Sequence, residues 1–238
     1  MSEVILSVEN IAGGYLPGIS VLHGISVSVM QGEAVGILGL NGSGKSSFGR
    51  AVVNLLPYRQ GRVILKGEDV SDRSTEELSR SGLRMMFQGG QVFKTLSVWD
   101  NLRLVMDSDF RQRMEMLRPV IPILGRKDSW LKGTMADKLS GGERHQLALA
   151  LTLASLPETV ILDEPSAGLS PKSVEVMYSL LEEVRIRFNL TILLIEQNIS
   201  KAVNYCDRCL LIRQGMVDRS FARGELDAIE QVMFNSKK

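Results

Sequence analysis

Apolar and polar residues alternate in three short runs of the N-terminal third: Val4-Ile5-Leu6-Ser7-Val8, Ile25-Ser26-Val27-Ser28-Val29 and Arg62-Val63-Ile64-Leu65-Lys66. A period of two places every second side chain on one face of a strand. Gln31-Gly32 and Gln60-Gly61 supply turn residues beside these runs, so the pattern predicts antiparallel pairing. Val160-Ile161-Leu162 and Ile192-Leu193-Leu194-Ile195 are different, because they are apolar without interruption. Such runs predict strands covered on both faces, as in a parallel sheet. Lys172 to Phe188 between them has a helical pattern, which gives β-α-β order. From about Phe93 to Lys138 no strand-like run occurs. That stretch is rich in Met, Arg and Leu and is broken by Pro119 and Pro122, so it predicts a helical insertion. Ser97 with Asp100 is a capping signal for a helix through Leu102 and Val105.

Composition narrows the class. At 238 residues the chain suits one large domain or two small ones and can bury a sizeable core. The formal net charge of +1 gives no global basic field to recruit nucleic acid. Gln146 to Pro157 is the longest uncharged stretch of interest, and it is too short to span a bilayer, which takes about 20 residues. Met1-Ser2-Glu3-Val4-Ile5-Leu6 lacks the basic start and apolar centre of a signal peptide, so a cytoplasmic chain is expected. Cys206 and Cys209 form a lone C-x-x-C at the start of an apolar run, which reads as small packing residues rather than a metal site. His23 and His145 are far apart and without ligand spacing, which leaves structural or surface roles.

The candidate chemistry begins at Gly39-Leu40-Asn41-Gly42-Ser43-Gly44-Lys45-Ser46, which reads G-x-x-x-x-G-K-[ST]. An apolar run, Ala34 to Leu38, precedes it, and a helical stretch, Ser46 to Leu56, follows. Glycines there let backbone N–H groups close on phosphate oxygens, and the helix dipole favours the same anion. Lys45 adds a point charge on the β- and γ-phosphates, and the Ser46 hydroxyl is a candidate ligand of Mg²⁺.

Two further segments fit that chemistry. Ser140 and Glu143 form a capping box at the start of an apolar helix, and Gly141-Gly142 leave its first turn open to an anion. Asp163 and Glu164 end an apolar run as a pair of carboxylates, one suited to a metal and the other to a water nucleophile. Gln88 and Gln197 also follow strand-like runs. In open α/β sheets ligands gather at the carboxyl ends of strands, so all these side chains are expected on one rim.

Taken together, these motifs resemble those of an ABC transporter ATP-binding subunit, over nearly the whole chain and in that family's order. Gly39 to Ser46 matches Walker A, Gln88 the Q-loop, Leu139 to Glu143 the signature sequence, and Asp163 and Glu164 Walker B with its catalytic glutamate. The resemblance implies an α/β, P-loop NTPase fold: a mostly parallel core sheet, an N-terminal antiparallel β-subdomain and a helical insertion. It implies one ATP-binding domain over 1–238, with core and β-subdomain in 1–92 and 139–238 and the helical subdomain at about 93–138. The implied catalytic residues are Glu164, Lys45 and Gln197. ATP contacts fall to Tyr15, Asn41, Gly42, Ser43, Gly44, Lys45, Ser46, Ser47, Gln88, Ser140, Gly141 and Gly142, with Tyr15 stacking on adenine. Mg²⁺ contacts fall to Ser46, Gln88 and Asp163.

A finer likeness, to the ATPases of branched-chain amino acid importers, rests on Asp163 to Pro171, on Ile195-Glu196-Gln197-Asn198, and on Gln91-Val92-Phe93 with Leu96-Ser97-Val98. Two positions depart from the broad family. Ser170 stands where many members have aspartate, and before Pro171 it suits a helix N-cap. Gln197 stands where many have histidine, and it can donate a hydrogen bond but carries no proton or charge in exchange. The resemblance implies a second ATPase subunit, identical or related, transmembrane permease subunits and, indirectly, a solute-binding protein. No nucleic acid is expected, and the implied location is the inner face of the plasma membrane. The alternative reading is an ABC-type ATP-gated clamp that regulates a non-transport partner.

Overall fold

The computed structural model describes residues 3–106 and 109–234. Met1 and Ser2 of the N-terminal reading, Asp107 and Ser108 of the expected insertion, and residues 235–238 lie outside them. The first alternating run extends into β1 (Val4–Gly14), which pairs antiparallel with β2 (Leu22–Met30). The chain then forms β3 (Ala34–Leu38), α1 (Lys45–Val52), β4 (Tyr58–Leu65), β5 (Glu68–Asp69) and α2 (Thr75–Arg80). Next come β6 (Leu83–Met86), α3 (Val98–Met106), α4 (Phe110–Leu117), α5 (Asp128–Gly133) and α6 (Gly141–Leu153). The last part is β7 (Thr159–Asp163), α7 (Pro171–Phe188), β8 (Thr191–Glu196), α8 (Ile199–Tyr205), β9 (Arg208–Arg213), β10 (Met216–Ala222) and α9 (Leu226–Phe234).

Two sheets result. The smaller is antiparallel in the order β2-β1-β4-β5, and the larger runs β10-β9-β3-β8-β7-β6. Strands β9, β3, β8, β7 and β6 are mutually parallel, and only β10 turns back as an antiparallel edge. Every residue of β3, β7 and β8 is buried, as uninterrupted apolar runs require. Their alternate residues enter different cores. Ala34, Leu38, Leu162 and Leu194 pack toward the helical layer. Val35, Ile37, Ile161, Leu193 and Ile195 pack with Phe48, Ala51 and Val52 of α1 and with the small sheet. Thus α1 lies between the two sheets.

That position demands close approach. A Cβ on Gly49 would lie 2.6 Å from Ile195 Cδ1, 3.1 Å from Met85 Cε and 3.3 Å from Ile161 Cγ2. Gly36 on β3 is equally confined, since its Cβ would meet Cys209 Sγ at 2.7 Å and Cys206 Sγ at 3.2 Å. Both cysteines are free and buried, so they pack against the strand that carries the phosphate loop.

Several boundaries differ from those the sequence predicts. Gln60-Gly61 is not a turn but lies inside β4, opposite an irregularity in β1 between Glu9 and Ala12. Gly61 takes φ +96° there, and a Cβ would collide with the Glu9 and Asn10 carbonyls at 2.6 and 2.5 Å. The helix expected to reach Leu56 stops at Val52, and Asn54 turns away at φ +57°. Among its described residues the middle stretch holds α3, α4, α5 and two short 3-10 helices joined by loops, with no strand beyond an isolated bridge between Ser97 and Met135. Ser97 Oγ accepts from Asp100 N at 3.0 Å, as its capping pattern predicts. His145 is buried on α6 and His23 is exposed on β2. Among the described residues no helix is long and apolar enough to cross a membrane.

Candidate functional site

The carboxyl ends of β3, β6, β7 and β8 deliver their following residues to one rim. A cleft of about 520 Å³ opens there, lined by Val21, the run from Asn41 to Ser47, Gln88, Glu164 and Gln197. The loop after β3 bends through Gly39 to Gly44, and Gly44 takes φ +103° to start α1 at Lys45. Lys45 is only 4% exposed, and its Nζ donates to Gly39 O at 2.9 Å and Leu40 O at 3.1 Å. Burial pushes its pKa down, while Glu164, Asp163 and Glu196 oppose that shift. Ser43 Oγ is buried without a hydrogen-bond partner. A buried, unpartnered hydroxyl in a glycine-rich loop that opens a helix fits a phosphate oxygen.

At the floor, Ser46 Oγ donates to Asp163 Oδ1 at 2.8 Å. Burial raises the Asp163 pKa against the Ser46 hydrogen bond and the charges of Arg50 and Lys45. A hydroxyl and one carboxylate oxygen fit Mg²⁺, which takes hard oxygen ligands and fills the rest of its shell with waters and phosphate oxygens. Among the described residues there is no group of three His, Cys, Asp or Glu side chains of the kind that an all-protein metal cage needs. Gln88 points elsewhere: its Nε2 donates to Glu164 Oε2 at 2.8 Å.

Glu164 turns off the end of β7 at φ +47°, and its N–H is held by Ile195 O at 2.8 Å. Left-handed backbone at a glutamate is uncommon and directs the carboxylate back over the rim. Burial raises its pKa; Lys45 opposes this, and Asp163 and Glu196 add to it. A buried carboxylate held partly toward its neutral form is a better proton acceptor than one in water.

The remaining residues fall into three groups. Gln197 lines the cleft directly. Tyr15 stands beside α1, its hydroxyl 3.1 Å from Ser47 Oγ and accepting from Arg50 Nη1 at 3.4 Å, and it does not line the cleft. Ser140, Gly141 and Gly142 also lie outside the cleft. Ser140 Oγ accepts from Glu143 N at 3.3 Å, and Glu143 Oε2 accepts from Ser140 N at 3.0 Å, which closes the capping box. Ser140 and Gly141 are exposed, so the open first turn of α6 faces outward. Ser170 caps α7 by accepting from Ser173 N at 3.3 Å.

Sequence reasoning gave neither Glu196 nor Val21 a place in the site. Glu196 is 1% exposed and accepts from Ser166, Gln197 and Asn198 N–H groups at 3.1, 3.0 and 3.2 Å. It therefore ties the turn after Glu164 to Gln197. The available signal was a lone charge closing an apolar run. Val21 gave none, because it reaches the cleft from the loop before β2.

Comparison with known proteins bears on the whole chain. A family model described as "ABC transporter" matches residues 22–167. The lipopolysaccharide export system ATP-binding protein LptB of Escherichia coli (strain K12) is 32% identical over 214 residues, covering 88% of this chain and 87% of that protein. The high-affinity branched-chain amino acid transport ATP-binding protein BraG of Pseudomonas aeruginosa is 30% identical over 207 residues, covering 85% and 87%. The structure of cbiO1 from Clostridium perfringens, described as part of the ABC transporter complex cbiONQ, superposes with a TM-score of 0.81 at 28% identity, covering 97% of this chain and 93% of that one.

Proposed function

Since the chain belongs to the ABC transporter family and is an ATP-binding ATPase subunit of that family, we propose that it drives an importer of branched-chain amino acids or similar small polar solutes. The likeness to BraG supports that substrate class. A similar likeness to LptB makes transport direction the first thing to establish. One ATP-binding domain spans 1–238, with the segment from about 93 to 138 as its helical part.

The observation that carries the mechanism is the separation of two anion-binding turns. The loop from Gly39 to Ser46 lines the cleft, whereas the Ser140-Gly141-Gly142 turn stands outside it and faces outward. A triphosphate gripped by both therefore takes the second turn from another chain, identical or related. On ATP entry, Lys45 Nζ exchanges two carbonyl partners for phosphate oxygens. Asn41 to Ser47 surround the phosphates, and Tyr15 supplies a ring face to adenine. Ser46 and Asp163, with Gln88 after it leaves Glu164, would hold Mg²⁺, which neutralises charge developing on the phosphates. Glu164 takes the proton of the attacking water on its carboxylate, and Gln197 donates to a γ-phosphate oxygen.

Permease subunits find a surface next to the Q-loop. An apolar groove of about 280 Å³ runs between Val53, Leu55, Met85, Phe87 and Phe93. It starts one residue from Gln88, so a permease helix seated there feels whether Gln88 is bound to Glu164. On this reading the protein works at the inner face of the plasma membrane, with a solute-binding protein acting only through the permease.

Sizing with ATP tests the shared site. Glu164→Gln keeps the cleft and blocks proton transfer, so it is expected to associate when ATP is added, alone or with a companion ATPase. A variant that stays monomeric with ATP in both settings rejects the two-chain site. Uptake of labelled leucine by vesicles holding the permeases encoded beside this chain tests the solute class.

A further inference from the structure

A second polar cleft lies at the amino-terminal end of β6, the end away from Gln88. It measures about 530 Å³, and Lys66, Arg80, Arg84 and Arg113 bring four cations to it against the single carboxylate of Glu158. Three of those cations are engaged. Lys66 pairs with Glu158, and Arg80 pairs with Glu76 at 2.6 Å. Arg113 donates to Ala154 O at 2.7 Å and lies 3.5 Å from the Asp109 carboxylate. Arg84 differs: it has no carboxylate partner among the described residues, and its Nε is buried without an acceptor. The Ser155 hydroxyl, on the same wall, is buried and equally without a partner.

Burial, and then the like charge of Arg113, disfavour the ionised Arg84 guanidinium. Arginine does not escape by losing its proton, so only an acceptor relieves the arrangement. Asp109 and Ala154 O already engage Arg113, so the uncompensated charge is that of Arg84, with Arg113 close enough to add its field. A phosphomonoester carries close to two negative charges and three acceptor oxygens, enough for the Arg84 guanidinium and the Ser155 hydroxyl with Arg113 shared between the ligand and its present partners. The cleft is also larger than inorganic phosphate needs and falls within the range of small-ligand sites.

We propose that Arg84, Arg113 and Ser155 form a binding site for a phosphomonoester dianion, separate from the nucleotide cleft. Equilibrium dialysis of the Lys45→Ala protein, which weakens the nucleotide site, tests it with three probes: labelled inorganic phosphate, glycerol 3-phosphate, and vesicles containing phosphatidic acid. Saturable binding is expected for at least one probe, weakened about tenfold or more when Arg84→Ala is added and partly restored by Arg84→Lys. Preference for the vesicles assigns a lipid headgroup as the source, and preference for a soluble probe assigns a free phosphate compound. Binding unaffected by Arg84→Ala, or no saturable binding of any probe at millimolar concentration, overturns the proposal.

Discussion

Gln88 Nε2 donates a 2.8 Å hydrogen bond to Glu164 Oε2, joining the residue that follows β6 to the acid that follows β7. The bond spans two neighbouring parallel strands at the rim. It engages an oxygen of the very carboxylate proposed to accept the water proton, so on that proposal Gln88 would govern when the carboxylate is free.

Removing the amide separates orientation from binding. Gln88→Ala is expected to lower kcat about tenfold, corresponding to about 1.4 kcal/mol in the barrier, with a smaller change in KM for ATP. Steady-state hydrolysis over a range of ATP concentrations reads both. A selective rise in KM with kcat unchanged would assign Gln88 to ATP binding alone.

Lys45 is nearly enclosed and is held by two carbonyls, Gly39 O and Leu40 O. Its ammonium has charge to offer once phosphate arrives. Lys45→Ala is expected to weaken ATP by roughly 10- to 100-fold, since charge-assisted contacts to phosphate are lost. Direct calorimetric titration measures this, and unchanged affinity removes Lys45 from the site.

Stability and pH should be linked through Glu164. Its folded pKa is raised above the unfolded value, chiefly by burial. The native state therefore binds the proton more tightly than the unfolded chain does, and the charged carboxylate costs stability above the folded pKa. That cost fades as pH falls through the folded pKa and is gone below the unfolded one. Glu164→Gln keeps an acceptor for Gln88 and is expected to raise nucleotide-free stability at pH 7. Denaturant melts at pH 7 and near pH 4 should show this gain shrinking in acid. A gain that grows in acid contradicts the sign.

Gly36 gives a packing test remote from the rim. Its Cβ would fall 2.7 Å from Cys209 Sγ. Gly36→Ala is expected to destabilise by about 1–3 kcal/mol through overpacking. Adding Cys209→Ala removes the nearest sulfur and should recover part of the loss. Chemical unfolding of the single and double variants measures the coupling, and strictly additive losses would place the strain elsewhere.

Much of this architecture was written in hydrophobic period. The unbroken runs at Val160 and Ile192 became strands buried on both faces, and the alternating runs paired antiparallel. Gln60-Gly61 misled because a positive-φ glycine serves a bulge as well as a turn, and only the neighbouring strand decides which. The end of α1 was misplaced because Val53, Leu55 and Leu56 continue the apolar pattern, while Asn54 adopts the left-handed turn. At the site, spacing revealed the residues that follow strands. It could not reveal the Gln88–Glu164 bond, which depends on β6 and β7 lying side by side. The role of Glu196 was not legible because the N–H groups it accepts from belong to the backbone, and these carry no trace in residue identity.

The absent methyl at Gly49 sets the altitude of α1 above the larger sheet. Everything on the first turn of that helix inherits the setting, including Lys45 and the hydroxyl of Ser46. Rim side chains can be exchanged singly while their neighbours stay in place. One carbon inserted under position 49 would instead press on the tips of Ile195 and Met85, and unless those side chains turn aside the helix would rise and carry Ser46 with it. The floor beneath the nucleotide thus acts as the gauge for the chemistry above it.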